Sequence, residues 1–433
     1  MNKSIAAGAI AMLLSGPALA QNAPTLEGIL RELAALTERV ERLEQDNARL
    51  QTENAALKVT PERQVAQDAP QAVEAMRVAN AAEWAPRLSW TADLRYRHDY
   101  LDAEEAPDDQ TRHRIRARLA LRARISDTLS GTIGIATNSD TGDPRTTMQT
   151  LGDGGSRKGL GLDLAYVDWQ PVQGLGLAFG KMPQPWYKAT GFFFDNDLNP
   201  EGIAVRYATG PFFAHAFGYW LSERSAASDA TLLGGQLGMT GQLGDVKLTG
   251  ALGYFDVGAV QGEITTPDLS VPCVHNGAFF AGPQGNTTFT DASGCSRLLH
   301  DYNMVEAIGQ AEFQVGNRPA QVFVQAIRNQ EADQLDTGWL AGFTFGKAAD
   351  PQTWEFGYAY GVIEKDAHFG QLIDSDFAGG VTDVDGGILK VGYAPARDWM
   401  LNGTYYMNQR FIDAPGATER SYDRYQIDLN WKF

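Results

Sequence analysis

A chain of 433 residues with a net charge of −17 and two cysteines excludes several classes of protein at once. The acidic balance argues against a nucleic-acid partner, because neutralising phosphates needs an excess of Lys and Arg. Two cysteines cannot form a disulfide scaffold, and beyond residue 20 no run of 18 apolar residues offers a helix that spans a membrane.

The first twenty residues read as a secretory signal. Lys3 supplies the basic start, residues 5–14 the short apolar core, and Ala18-Leu19-Ala20 the small-residue cleavage site, so Gln21 is the expected mature start. Export without a helical anchor leaves a periplasmic, secreted or outer-membrane β-barrel protein.

Residues 21–58 carry a seven-residue repeat. Leu26, Leu33, Val40, Asn47 and Asn54 fall at a, and Ile29, Leu36, Leu43, Leu50 and Leu57 at d. This predicts a short periplasmic coiled coil and hence an oligomer, since one such helix cannot bury its own seam. A lone amphipathic helix packed on another surface is the alternative. The two Asn at a fix register without deciding between two and three strands. Residues 59–87, with Pro61, Pro70 and Pro86, read as a linker.

From Leu88 the period changes from 3.5 to 2. Strand-like pairs follow at 88–98 with 111–125, 128–138 with 160–170, 174–181 with 201–209, and 212–221 with 231–241. The others are 245–255 with 301–314, 319–329 with 337–347, 353–363 with 386–394, and 398–410 with 421–433. Tight connections at 171–173, 242–244, 315–318 and 395–397 alternate with long polar loops. The fold class expected for residues 88–433 is an all-β transmembrane barrel of about 16 antiparallel strands, preceded by the coiled coil. Trp169, Trp339, Trp354, Trp399 and Trp431 lie near strand ends, where interfacial girdles would be. In the last strand Tyr425, Ile427, Leu429, Trp431 and Phe433 alternate with polar residues. Such a strand is an aggregation hazard as a soluble edge but is at home in a closed barrel whose apolar face meets lipid.

The second strand places Arg112, Arg114, Arg116, Arg118, Arg122 and Arg124 on one face, opposite an apolar one. Facing lipid at the midplane, each arginine would cost about 2–4 kcal/mol; facing a wet lumen it costs little. With Arg95 and Arg97 of the first strand, this predicts a basic stripe down one pore wall that sets ion selectivity. The alternative is a stripe balanced by facing acids that only keeps the lumen wet.

The strand LDLAYVDW at 162–169, the GKMPQPW run at 180–186, the DNDLNPEG run at 195–202 before IAVRY, and the basic strand RIRARLALRA resemble the Gram-negative porins. The resemblance is strongest to the "putative porin" family, whose members carry an N-terminal coiled coil; Phe194 stands where that family has Trp. It implies a homotrimeric outer-membrane channel for small hydrophilic solutes and ions, in contact with lipid and lipopolysaccharide. It also implies that residues 182–200 form a constriction loop, with Asp195, Asp197 and Glu201 opposite the arginine wall. A rigid external cap is the other reading of that loop. By the same resemblance Phe433 is the signal read by the barrel assembly machinery.

Cys273 and Cys295 share one long loop, and in an oxidising compartment a stapling disulfide is expected, with free thiols or a metal pair as the minor reading. Asp374, Asp376, Asp383 and Asp385 read as solvated surface charge, or as a site for divalent cations shared with lipopolysaccharide. The six histidines are scattered, and no nucleophile elbow or phosphate loop occurs, so neither an enzyme, a metal site nor a cofactor is expected. Two other readings stay open: a barrel anchor whose coiled coil tethers the envelope, and a substrate-specific channel.

Overall fold

The computed structural model describes residues 84–224, 228–264, 282–413 and 418–433, together with Glu38, Arg42, Gln45 and Arg49. Those four are helical and exposed, and Arg42 pairs with Glu38 at 2.6 Å, one turn apart. They occupy c and f positions of the heptads. The a and d positions, the signal and most of the linker lie outside the described residues.

Residues 84–433 form one compact unit built from sixteen long strands. They are β1 (Leu88–Ala103), β2 (Gln110–Arg124), β3 (Leu129–Thr137), β4 (Leu160–Val172), β5 (Leu175–Lys181) and β6 (Glu201–Thr209). Next come β7 (Phe212–Ser222), β8 (Ala230–Leu243), β9 (Val246–Gly258), β10 (Tyr302–Val315) and β11 (Arg318–Asn329). The last are β12 (Thr337–Gly346), β13 (Thr353–Ile363), β14 (Val384–Ala396), β15 (Trp399–Arg410) and β16 (Arg420–Lys432). Each pairs antiparallel with the next, and β16 pairs with β1 from Asp93↔Lys432 to Ala103↔Tyr422, so the sheet closes into a barrel. Closure leaves no open edge, the condition for placing strands in hydrocarbon.

Strand parity is as the sequence predicts, while several ends differ. β1 runs five residues further than its predicted end, because Tyr100 and Asp102 continue the alternation. β14 crosses Pro395 and β4 crosses Pro171, each at a register shift, which is how a strand accommodates a residue with no N–H. Five of the seven connections at one end of the barrel are two-residue turns. Gly244 and Gly316, both with φ of 61°, take the first turn position, where a side chain would be strained.

The outward face is apolar. Ile133, Leu162, Leu237, Leu252, Val324 and Ile427 are among its exposed side chains, with Trp90, Trp169, Trp339, Trp354 and Trp399 toward the strand ends. The hydrophobic core sits inside the barrel. Phe217, Tyr219, Phe255, Tyr302, Met304, Phe323, Ile327 and Leu340 point inward from β7 to β12. They meet Trp186, Phe192, Phe193 and Phe194 of loop 182–200, and Phe369 and Phe377 of loop 364–383. Burying each such side chain is worth about 1.5–3 kcal/mol. One half of the lumen is therefore filled mainly by apolar side chains, and most of the charge lies in the other half.

Candidate functional site

Loop 182–200 leaves β5 and returns to β6, its stem closed by Met182 N–H donating to the Pro200 carbonyl at 2.9 Å. Inside the barrel its anchor is Gln236 of β8, which is 1% exposed. Gln236 accepts from the Tyr187 N–H at 2.8 Å and donates to the Tyr187 carbonyl at 2.9 Å. The Tyr187 hydroxyl reaches Gln310 of β10 at 2.6 Å. The Trp186 ring lies 4.6 Å from Phe217 and 5.4 Å from Phe255, centroid to centroid. The loop is thus an internal partition, and the external-cap reading does not describe it.

Loop 364–383 folds in beside it. Asp195 N–H donates to the Leu372 carbonyl at 2.9 Å, and Asp374 N–H to the Phe192 carbonyl at 3.1 Å. Asn286, in the loop between β9 and β10, accepts from Gly370 N–H at 2.9 Å and donates to the His368 carbonyl at 2.8 Å. Arg145, in the loop between β3 and β4, donates to the carbonyls of Gly370 at 3.0 Å and Gly380 at 2.7 Å. Four loops are knitted together in this way. The expectation that Asp374 and Asp376 are surface charge is corrected, because both line the lumen. Asp383 and Asp385 stay apart, accepting from the Asp413 N–H and the Tyr360 hydroxyl respectively.

The facing wall is β16, β1 and β2, whose inward parity carries the arginines. Arg97 makes a fork to Asp428 of β16 at 2.7 and 2.9 Å and reaches Asp376 at 2.9 Å. Arg424 makes a second fork, to Asp99, at 2.8 and 2.9 Å, and also reaches Asp376 at 3.0 Å. Arg112 joins Asp99 at 2.6 Å, Arg116 joins Asp93 at 2.7 Å, and Arg95 donates to Asn430 at 2.7 Å. Arg118 crosses to the partition, binding Asp197 at 2.5 Å. Most of the ladder is therefore matched locally by carboxylates.

Between the wall and the loops lies a cavity of about 430 Å³. Its lining carries Arg95, Arg97, Arg116, Arg118, Arg145 and Lys390 against Asp195, Asp197, Glu355, Asp374, Asp376 and Asp428. Of the other residues singled out from sequence, Arg114 turns to the Met148 carbonyl at 3.0 Å. Arg122 and Arg124 sit toward the tight-turn end, Arg122 donating to Ser130 at 3.1 Å. Glu201 does not face the arginines. It shares the outward parity of Ile203 and pairs with Lys181 at 3.0 Å, because β6 already begins at this residue.

Asp195 is buried, and its two oxygens accept from the Asp197 and Ser375 amides, both at 2.8 Å. Burial, then the neighbouring Asp374 and Asp197, push its carboxyl well above the ordinary range, against the two amides. Cys295 is disulfide-bonded, and its expected partner Cys273 lies outside the described residues. Phe433 is 67% exposed and exchanges two backbone hydrogen bonds with Ala92, at 2.8 and 3.0 Å. Sequence reasoning missed Arg424, Gln236 and Asn286, and read Asp376 as surface charge rather than as a partner of the arginine wall. It also missed that His98 and His113 stand opposite each other on the outward face, ring centroids 5.1 Å apart. Among the described residues no group of three His, Cys, Asp or Glu is placed to hold a metal ion.

A closed sixteen-stranded barrel with an apolar exterior and a charged lumen narrowed by its own loops is an outer-membrane channel. The chain belongs to the porin family described as "Putative porin", which it matches over residues 68–290 and 296–433. Its fold is similar to that of OprB from Pseudomonas putida, with a TM-score of 0.54 at 12% identity over 82% of this chain and 96% of that one. OmpF from Salmonella typhi matches at a TM-score of 0.46 and 11% identity, over 80% of this chain and 97% of the other. No curated protein sequence matches the chain.

Proposed function

We propose that this porin is a homotrimer passing small hydrophilic solutes and ions by passive diffusion, sorted at a constriction between loops 182–200 and 364–383 and the arginine wall. The observation that carries this reading is the arrangement of charge around one 430 Å³ cavity, with four guanidiniums on β1 and β2 facing four carboxylates on the two loops. A solute crossing it meets a transverse field, which favours dipolar molecules able to align. Six cationic and six anionic side chains line the cavity, four of the cations being guanidiniums on the β1–β2 wall.

The expected result in a planar bilayer under a salt gradient is a modest anion preference in the reversal potential. Asp197→Asn, which frees Arg118, should shift it further toward anions, whereas Asp195→Asn should leave it nearly unchanged. Clear cation selectivity of the unaltered channel would overturn the reading. The heptad repeat supports an oligomer, whose test is a high-mass gel band that collapses to monomer on boiling. In the same reading Phe433 is the element recognised by the barrel assembly machinery, so its deletion should impair assembly more than conductance.

A further inference from the structure

On the outward face of β8 to β11, toward the tight-turn end, the sheet surface is hollowed. A groove of about 690 Å³ runs there between Met239, Leu243, Leu248, Val322 and Val324. Its floor is glycine: Gly250 stands directly opposite Gly309, and Gly241 directly opposite Leu248. None of the three has a positive φ. A Cβ at Gly241 would meet nothing within 4 Å, at Gly250 only the Ile308 carbonyl at 3.8 Å, and at Gly309 only Val324 at 3.4 Å. The backbone therefore does not demand glycine here. Interior strand glycines weaken a sheet, and their recurrence at adjoining positions marks a surface that something else approaches closely.

The location and the neighbouring charge select the occupant. The groove lies in the apolar band of an outer-membrane barrel, and tight turns mark the periplasmic side, so it opens on the hydrocarbon of the inner leaflet. Four residues nearer the periplasm than Val322, Arg318 shares the outward parity of Val322 and Val324. It is exposed at the foot of β11 and has no ion pair among the described residues. Asp245, in the β8–β9 turn, flanks the opposite corner, which keeps an anionic group to the β11 side. A cation at headgroup depth below an apolar slot matches a phosphate above an acyl chain.

We propose that this groove binds one glycerophospholipid of the periplasmic leaflet, one acyl chain lying over Gly250 and Gly309 and the phosphate on Arg318. The test is native mass spectrometry of the full-length protein in detergent, titrated with dioleoylphosphatidylglycerol and, separately, with phosphate-free dioleoylglycerol. The unaltered protein should retain one phosphatidylglycerol per chain. Filling the floor with Gly250→Leu and Gly309→Leu should abolish retention, and Gly241→Leu alone should weaken it. Arg318→Gln should weaken phosphatidylglycerol about tenfold, the loss of one charge-assisted hydrogen bond, while leaving dioleoylglycerol unchanged. Gly403→Leu, at an outward glycine of β15 with open space around it, is the control and should retain the lipid. Variants are compared only after gel mobility shows a folded barrel. Undiminished phosphatidylglycerol on the floor-filled variant overturns the proposal. So does disulfide cross-linking between copies carrying Gly309→Cys in membranes, which would make this face a contact between chains. Neither result bears on conductance, so the channel reading stands or falls separately.

Discussion

Trp186→Ala should destabilise the barrel by about 3–5 kcal/mol, the range for removing a large buried aromatic, and should also turn a steady channel into a fluctuating one. Trp186 is 5% exposed and touches Phe194, Phe217 and Phe255, so it wedges the partition against β7 and β9. Without it loop 182–200 keeps its Gln236 clamp but loses the packing that holds it to one side. Single-channel recordings should then show transitions between conductance levels, with a larger mean current. Trp186→Phe is the matched comparison. The indole N–H is buried without an acceptor, so phenylalanine gives up packing area but no hydrogen bond, and one steady level should persist. Urea unfolding of the folded barrel reads the stability. Unchanged stability and unchanged current in the alanine variant would show that the partition does not depend on this wedge.

Asp99→Ala should cost about 3 kcal/mol, near the lower end for breaking a buried ion pair, because lumen water reaches one of its partners. Asp99 is fully buried and neutralises both Arg424 and Arg112, at 2.8 and 2.6 Å. Arg424 keeps Asp376, which limits the loss, while Arg112 is left without its carboxylate. Asp99→Leu paired with Arg424→Met should cost less than the sum of the two single variants, because each single variant leaves one partner of the fork behind. Unfolding midpoints in urea decide the matter. Additive single and double variants would mean that the fork contributes no coupling.

The barrel was legible from the sequence because its signal is local. Alternation with period 2 assigns each residue of β2 to a face with no knowledge of its neighbours, and sixteen such segments with alternating loop lengths leave little else to build. The direction of the loops was not legible in the same way. Loop 182–200 turns inward because Gln236, 49 positions away, satisfies the Tyr187 backbone. Loop 364–383 is tied by Asn286, 84 positions from Gly370. Neither contact leaves a pattern within either segment. Asp374 and Asp376 sit in a glycine-rich polar stretch that looks like any solvated loop, and Asp376 acquires its role from Arg97, 279 positions earlier. Glu201 misled for the opposite reason. The acidic run containing it crosses the boundary between loop and strand, and the side of the sheet it occupies follows from where β6 begins.

The fork between Arg97 and Asp428 joins residues 331 positions apart, and the one between Asp99 and Arg424 joins residues 325 apart. Neither can form until nearly the whole chain has been made, so the first strand waits for the last. A chain cut short before β16 keeps an open edge along β1, with Arg97 left to Asp376 alone and Asp99 to Arg112 alone. Closure and charge pairing of the first strand are thus completed together, by the last strand to be made.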